Sequence, residues 1–339
     1  MSPGAVPPAG DAGGLFERVE AVLALKSPAH KVTATQQLLE QWRQGRIVAA
    51  EDAGPATLER PGCPDAPLLV HPRALPRRRT GSAEGRAAML HAIAHIEFNA
   101  IHLALDACYR FRGLPRAFYD DWLSVAAEES IHFSLLASAL ERRGWRYGSF
   151  AAHDGLWEMA DKTRHDVLAR MALVPRTLEA RGLDASPEIR ARFAALGDEE
   201  AVAILDRILA DEVGHVAIGN RWYAWLCAQR SLDPQHTFAA LSAAFDAPRP
   251  HLPLNRAARL QAGFTAHELD LIEQRARSHA PRATPVPCAT SRTPRAAAGH
   301  PPPAEHVPGD PVAPAEQRGA GAAACLETGT VEAPTAKMP

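Results

Sequence analysis

Two short segments, Glu129-Ser-Ile-His132 and Glu212-Val-Gly-His215, constrain the fold more than any other feature of this chain. In a helix, residues three apart share a face, so each glutamate reaches towards the point its histidine also reaches. One such segment arises often by chance. Here each follows a further glutamate at a near-equal distance: 129 − 97 = 32 residues after Glu97, and 212 − 179 = 33 after Glu179. The chain reads as a helix with Glu, a helix with Glu-x-x-His, a long crossover, and then the same pair again.

The faces on which these acids stand carry more weight than the spacing. At about 100° per residue, Glu97 falls in line with Leu90, Ile93, Ala94, Ala100, Ile101, Ala104 and Cys108. Glu129 shares its stripe with Phe118, Trp122, Val125, Phe133, Leu136 and Leu140, and Glu212 with Ala201, Leu205, Ile208, Val216, Gly219, Tyr223 and Leu226. Glu179 lies with Leu168, Ala172 and Pro175, one turn after a proline that removes a backbone donor and predicts a kink. An apolar stripe is the face a helix turns to the core. An uncompensated carboxylate there costs several kcal/mol, and four together also repel. Two divalent cations supply four positive charges against four carboxylates, and two neutral imidazoles complete the shells. The pattern predicts an all-α protein, a ferritin-like four-helix bundle with ligands Glu97, Glu129, His132, Glu179, Glu212 and His215.

A carboxylate-rich site with imidazole suits iron or manganese, whereas structural zinc favours thiolates. The expected cofactor is two iron ions; ligand identity also admits manganese or a mixed Fe/Mn pair. Glu128 and Asp211, each just before a ligand glutamate, project about 100° away and are expected to face solvent or to support the ligands from outside. His91, His95 and His102 form a separate stripe, expected to pack against the N-terminal segment, with a second metal site as the alternative. Tyr223 reads equally as a core tyrosine or as a neighbour of the metals.

The rest of the chain frames this core. Helical patterns run over about 14–27 and 32–45, then 84–111, 116–143, 155–181, 187–196 and 198–229, with a last one at 265–280; 231–264 reads as irregular. Gly113-Leu114-Pro115, Gly144 and Gly182 are the expected breaks. Six prolines between residues 46 and 82 forbid a long helix there and predict an extended arm, whose Arg77-Arg78-Arg79 run reads as a solvated turn. The last 59 residues hold twelve prolines, too little apolar surface to offset ordering, and are expected to be disordered. The expected organisation is thus 1–82 helices and arm, 83–230 bundle, 231–280 extension with a short helix, and 281–339 tail.

A net charge of −2 calls for neither nucleic acid nor an anionic membrane as partner. Five scattered cysteines without a CxxC pair fit a reducing compartment rather than a disulfide framework. The N-terminus shows no basic-then-apolar secretory pattern, and no uninterrupted apolar run reaches the roughly 18 residues of a membrane span. A cytoplasmic location is the expectation.

Several blocks are long enough to carry a resemblance: HAIAHIEFNAIHLALDACYRF (91–111), FYDDWLSVAAEESIHF (118–133), YGSFAAHDGLW (147–157), RMALVPRTLEARGLD (170–184), ILADEVGHVAIGNRWY (208–223) and, less sharply, PLNRAARLQAGF (253–264). Over about 60–280 the chain resembles the ferritin-like family of bacterial proteins known as domain of unknown function 455. The resemblance places the metal-ligand roles on the same six residues. More remotely, the layout is similar to di-iron hydroxylases that modify tRNA, which keeps tRNA open as a partner. No GxSxG, P-loop or dinucleotide fingerprint competes with this reading. The expectation is an O2-dependent di-iron oxidoreductase on an unidentified substrate, with Glu129 and Glu212 bridging and Glu97 and Glu179 terminal. Its electrons would come from a separate donor protein, as the chain shows no flavin or iron–sulfur pattern. The alternatives are a ferroxidase or peroxide-scavenging protein, and a metal-stabilised scaffold without turnover.

Overall fold

The computed structural model describes residues 14–49, 56–76 and 80–278; the Arg77-Arg78-Arg79 run and the 281–339 tail lie outside the described residues. Within them the chain is all-helical, and the only β feature is an isolated parallel bridge between Leu69 and Ala152. Helices α1 (Leu15–Ala24) and α2 (Pro28–Arg43) come first, followed by an irregular segment with a single 3-10 turn at Pro72–Ala74. Long helices α3 (Ala83–Arg110) and α4 (Arg116–Arg142) follow, then α5 (Gly155–Lys162) and α6 (Val167–Leu173), a π turn (Val174–Glu179), and α7 (Ala180–Ala194). Helix α8 (Glu199–Gln229) precedes α9 (Pro234–Ala244), α10 (Arg256–Gln261) and α11 (Ala266–Ser278).

Local chemistry explains where the long helices start and stop. Ser82 Oγ accepts from Gly85 N at 3.0 Å and caps α3, while an Asp198 side-chain oxygen accepts from Ala201 N at 3.1 Å and caps α8. Gly113 and Gly144, at φ +70° and +77°, follow α3 and α4 in the left-handed conformation that glycine adopts without a Cβ penalty. Helix α3 packs chiefly on α4, and α8 lies against α4, α6, the π turn and α7. Phe118, fully buried on α4, meets the edge of Trp222 on α8 at 5.1 Å. Truncating such a ring to alanine removes about 3–5 kcal/mol. A smaller apolar cluster, including Leu183, Val216, Leu254, Phe264 and Leu269, joins α10 and α11 to α7 and α8.

The third helical segment departs from expectation. Instead of one helix over 155–181 there are α5, α6, the π turn and α7, in which Gly182 is an interior residue rather than a terminator. Asp166 caps a fresh start for α6 by accepting from Leu168 N at 3.0 Å. Pro175 lacks the N–H that an α-helix needs, and the backbone widens into a π turn around it. Gly182 costs about 1 kcal/mol relative to alanine inside a helix, which burial of Ala180 and Leu183 beside it offsets. Likewise, 231–264 is not irregular throughout: Asp233 caps α9 and Asn255 caps α10.

The histidine stripe of α3 pins the N-terminal elements and the 147–153 loop. Lys31 of α2, fully buried, donates to the Leu23 and Gly62 carbonyls at 3.0 and 2.8 Å and lies 2.7 Å from His102 Nε2. His91 accepts from Gly148 N at 2.9 Å, and His95 pairs with the Tyr147 hydroxyl at 2.9 Å. Thus His102 meets the N-terminal segment as expected, whereas His91 and His95 bond the 147–153 loop, on which residues 66–70 of the arm pack in turn. Tyr223 is a core tyrosine whose hydroxyl donates to the Pro234 carbonyl at 2.6 Å. Helix α3 is the one described helix long and apolar enough to cross a bilayer, and 78% of its apolar window is buried inside the protein.

Candidate metal centre

Helices α3, α4 and α8 bring Glu97, Glu129, His132 and Glu212 together so that one ligand atom from each lies within 4.8 Å of all the others. Glu97, Glu129 and His132 are buried, and the Glu212 side chain is 13% exposed. Glu129 stands between the two imidazoles. Its Oε2 is 3.2 Å from His132 Nδ1, and its Oε1 is 2.9 Å from His215 Nδ1. His132 Nδ1 also lies 3.2 Å from Glu97 Oε2, and His215 Nδ1 lies 3.7 Å from Glu212 Oε1. The two rings are 5.9 Å apart. The cluster holds the chemistry to bind a metal ion.

Glu179, at the end of the π turn, is the outlying member. Its carboxylate sits close enough to Glu212 and Glu129 to feel their charges, yet its buried Oε2 has no hydrogen-bond partner. Gly219 of α8 is what allows the π turn so near: a Cβ there would stand 2.4 Å from Pro175 Cβ and 2.6 Å from its Cγ. Glu129 Oε1 and His215 Nδ1 are likewise buried without an aligned hydrogen bond, despite their 2.9 Å separation. Such orphaned buried polar atoms call for a partner, and a cation held beside both would supply it. These residues therefore fit a metal.

Two carboxylates that sequence reasoning left at the margin complete the geometry. His132 Nε2 lies 3.0 Å from Asp211 Oδ2, and His215 Nε2 lies 2.7 Å from Glu128 Oε2. Each imidazole is thus held from outside by the residue preceding the ligand glutamate on the opposite helix. A proton on Nε2, donated outward, leaves the Nδ1 lone pair turned inward, the arrangement that orients metal-binding histidines. The signal was present as the acid before each Glu-x-x-His, but the 100° offset could not say whose histidine it would meet.

The ionisation of the cluster follows from burial and from the charges packed against one another. Burial raises Glu97 well above the usual carboxylate range, and the neighbouring Glu129 charge adds to the rise. Burial and the Glu212 charge do the same to Glu179, and burial with the Glu129 charge raises Glu212. Glu129 goes the other way: burial pushes it up, but the His215 charge and the contacts of both imidazoles outweigh that and hold it low. Burial lowers His132, yet contacts with Glu129 and Glu97 prevail and lift it to about 11. His215 is likewise raised by Glu129 and Glu128 against its burial. Without a metal, protons must supply the charge that holds the acids together.

The comparisons with known proteins bear on identity but not on chemistry. Residues 24–270 match the model of a family described as "Protein of unknown function (DUF455)". The chain belongs to that family. An uncharacterized protein of Haemophilus influenzae is similar at 47% identity over 268 residues, covering 76% of this chain and 93% of the relative. No solved structure matches. The DUF455 match runs from the end of α1 into α11 and takes in all six predicted ligands, Glu128, Asp211 and the π turn, but not the proline-rich tail.

Proposed function

We propose that this DUF455 protein is a ferritin-like four-helix bundle holding two iron ions, and that it acts as an O2-dependent oxidoreductase on an as yet unidentified substrate. The fold reading takes α3, α4, α8 and the α6–π–α7 segment as the four helices, with an electron-donor protein supplying reductant. One observation carries the reading: Glu129 presents one oxygen to each inward-facing Nδ1, and each Nε2 is tied outward to an acid from the opposite helix. A carboxylate set between two oriented imidazoles would suit a pair of ions, one beside each ring. In this assignment Glu129 and Glu212 would hold both ions, Glu97 and Glu179 would be terminal ligands, and His132 and His215 would serve one ion each. When bound, a pair of ferrous ions supplies electrons to dioxygen. The chain's own residues position the ions, exclude water through the apolar stripes of α3, α4 and α8, and keep both imidazoles in one tautomer.

The test joins metal analysis with oxygen consumption. The purified protein should bind two irons per chain, and the reduced, iron-loaded protein should consume O2 and gain near-ultraviolet absorption. Retention of two ions by a folded Glu129→Gln/Glu212→Gln variant would overturn the site. Iron oxidation without turnover of any candidate substrate would instead favour the ferroxidase alternative.

A further inference from the structure

A cavity of about 410 Å³ opens beside the π turn, between the start of α7, α9, the 247–250 loop, α10 and α11. Five arginines line it: Arg176, Arg181, Arg249, Arg259 and Arg275. No carboxylate is among the described residues that line it. The remaining wall is largely apolar, with Phe238 and Ile272 contributing large side chains.

Two of these guanidiniums, Arg176 and Arg259, are buried and held in place. Arg176 is 5% exposed, donates to Asn220 Oδ1 at 2.6 Å, pairs with Glu268, and packs over the Tyr223, Phe238 and Phe264 rings at 5.2, 4.9 and 4.5 Å. Arg259 is anchored by Asp184 through two donors at 2.9 and 2.7 Å. Even so, Arg176 Nε and Arg181 Nε are buried without a hydrogen-bond partner. A buried guanidinium donor without an acceptor costs free energy comparable to a lost charged hydrogen bond. Arginine's planar fork suits the oxygens of a phosphate or carboxylate. The volume is that of a site for a small organic molecule.

We infer that this cavity binds a small organic anion, a phosphate or carboxylate head group on an apolar body, with Arg176 and Arg181 contacting the head group and Phe238 and Ile272 the body. The site is separate from the metal centre and needs no metal to bind. Arg176 and Arg181 bracket Glu179 in the chain, so a ligand held there also braces the π turn that carries a terminal carboxylate.

Isothermal titration calorimetry on the metal-free full chain tests this with four probes: phenyl phosphate, benzoate, inorganic phosphate and benzyl alcohol. At least one aromatic anion should bind and raise the melting temperature, benzyl alcohol should not bind, and inorganic phosphate should bind more weakly than phenyl phosphate. Which aromatic anion binds tighter identifies the head group. Arg181→Gln and, on the exposed rim, Arg275→Gln should each weaken the binding, Arg181→Gln by about tenfold or more. The Arg275→Gln variant should melt as the wild type does without ligand. Failure of both aromatic anions to bind up to roughly 10 mM, where even affinities worth about 3 kcal/mol would register, overturns the inference. Binding unchanged in both variants, or benzyl alcohol binding as tightly as the anions, also overturns it. None of these results alters the metal content, so the two sites stand or fall separately.

Discussion

The two halves of the ligand pattern read almost alike along the chain and differ in three dimensions. In the first half, α3 and α4 run uninterrupted and bring Glu97 and Glu129 each to 3.2 Å from His132 Nδ1. In the second, the helix that should mirror α3 is broken into α6, a π turn and α7, and Glu179 arrives with an unpartnered oxygen. Only α8 reproduces its counterpart, and the Asp211–His132 and Glu128–His215 contacts cross between the two Glu-x-x-His helices as mirror images. The comparison teaches that equal spacing sets which residues can meet. Backbone regularity decides how closely they do so, and only the first half brings its members into direct contact.

The largest expected difference lies between Glu129 and Glu179. Replacing Glu129 by Gln removes the charge both imidazoles rely on, and should destabilise the metal-free protein by about 3–5 kcal/mol, the cost of breaking a buried pair. Glu179, already raised towards its neutral form by burial and the Glu212 charge, should tolerate Gln with a change below about 1 kcal/mol. Chemical denaturation of the two metal-free variants measures the contrast; equal losses would break it.

The second contrast is between the metal-free and metal-loaded protein as pH rises. A histidine raised from 6.5 to about 11, as His132 is, contributes stability that is complete below pH 6.5 and lost as pH climbs towards 11. Glu97 and Glu179, also raised, lose their contribution in the same direction from about pH 4.5 upwards. Glu129, lowered, acts oppositely but only on the acid side of its ordinary value. The melting temperature of the metal-free protein should therefore fall between pH 6.5 and 10. With metal replacing the protons, the loaded protein should hold its melting temperature over that range. Parallel pH curves for the two forms would show that metal does not take the protons' place.

A smaller effect should separate the outer acids. Asp211→Asn and Glu128→Gln each leave the ligands intact but loosen one imidazole, and should weaken metal binding by about 10–100-fold. Asp211, 22% exposed against 45% for Glu128, should matter more. Competition with a chelator ranks them.

A last contrast, in stability alone, is between two glycines of the irregular half. Gly219→Ala sets a methyl against the Pro175 ring and should cost about 1–3 kcal/mol. Gly182→Ala, inside α7 with nothing within 4 Å of the added carbon, should stabilise by about 0.5–1 kcal/mol. Thermal melts of both read the difference directly.

Much of the site was legible because burying acid among apolar residues is costly enough to mark itself. The stripes around Glu97, Glu129 and Glu212 could be traced from helical periodicity alone, and α3, α4 and α8 lie within a residue of where that periodicity ended them. The all-helical class and the family followed from the same blocks. What the chain could not declare were facts of proximity between elements far apart in it. That Glu128 would hold His215 rather than face water depends on how α4 and α8 cross. That Pro175 would open a π turn, rather than only a kink, depends on Gly219 leaving space for its ring. That five arginines would line one cavity depends on α9, α10 and α11 folding back over α7, which no periodicity within any one of them encodes. Periodicity within a helix is a local property, set by 3.6 residues per turn; the pairing of faces is settled only by packing.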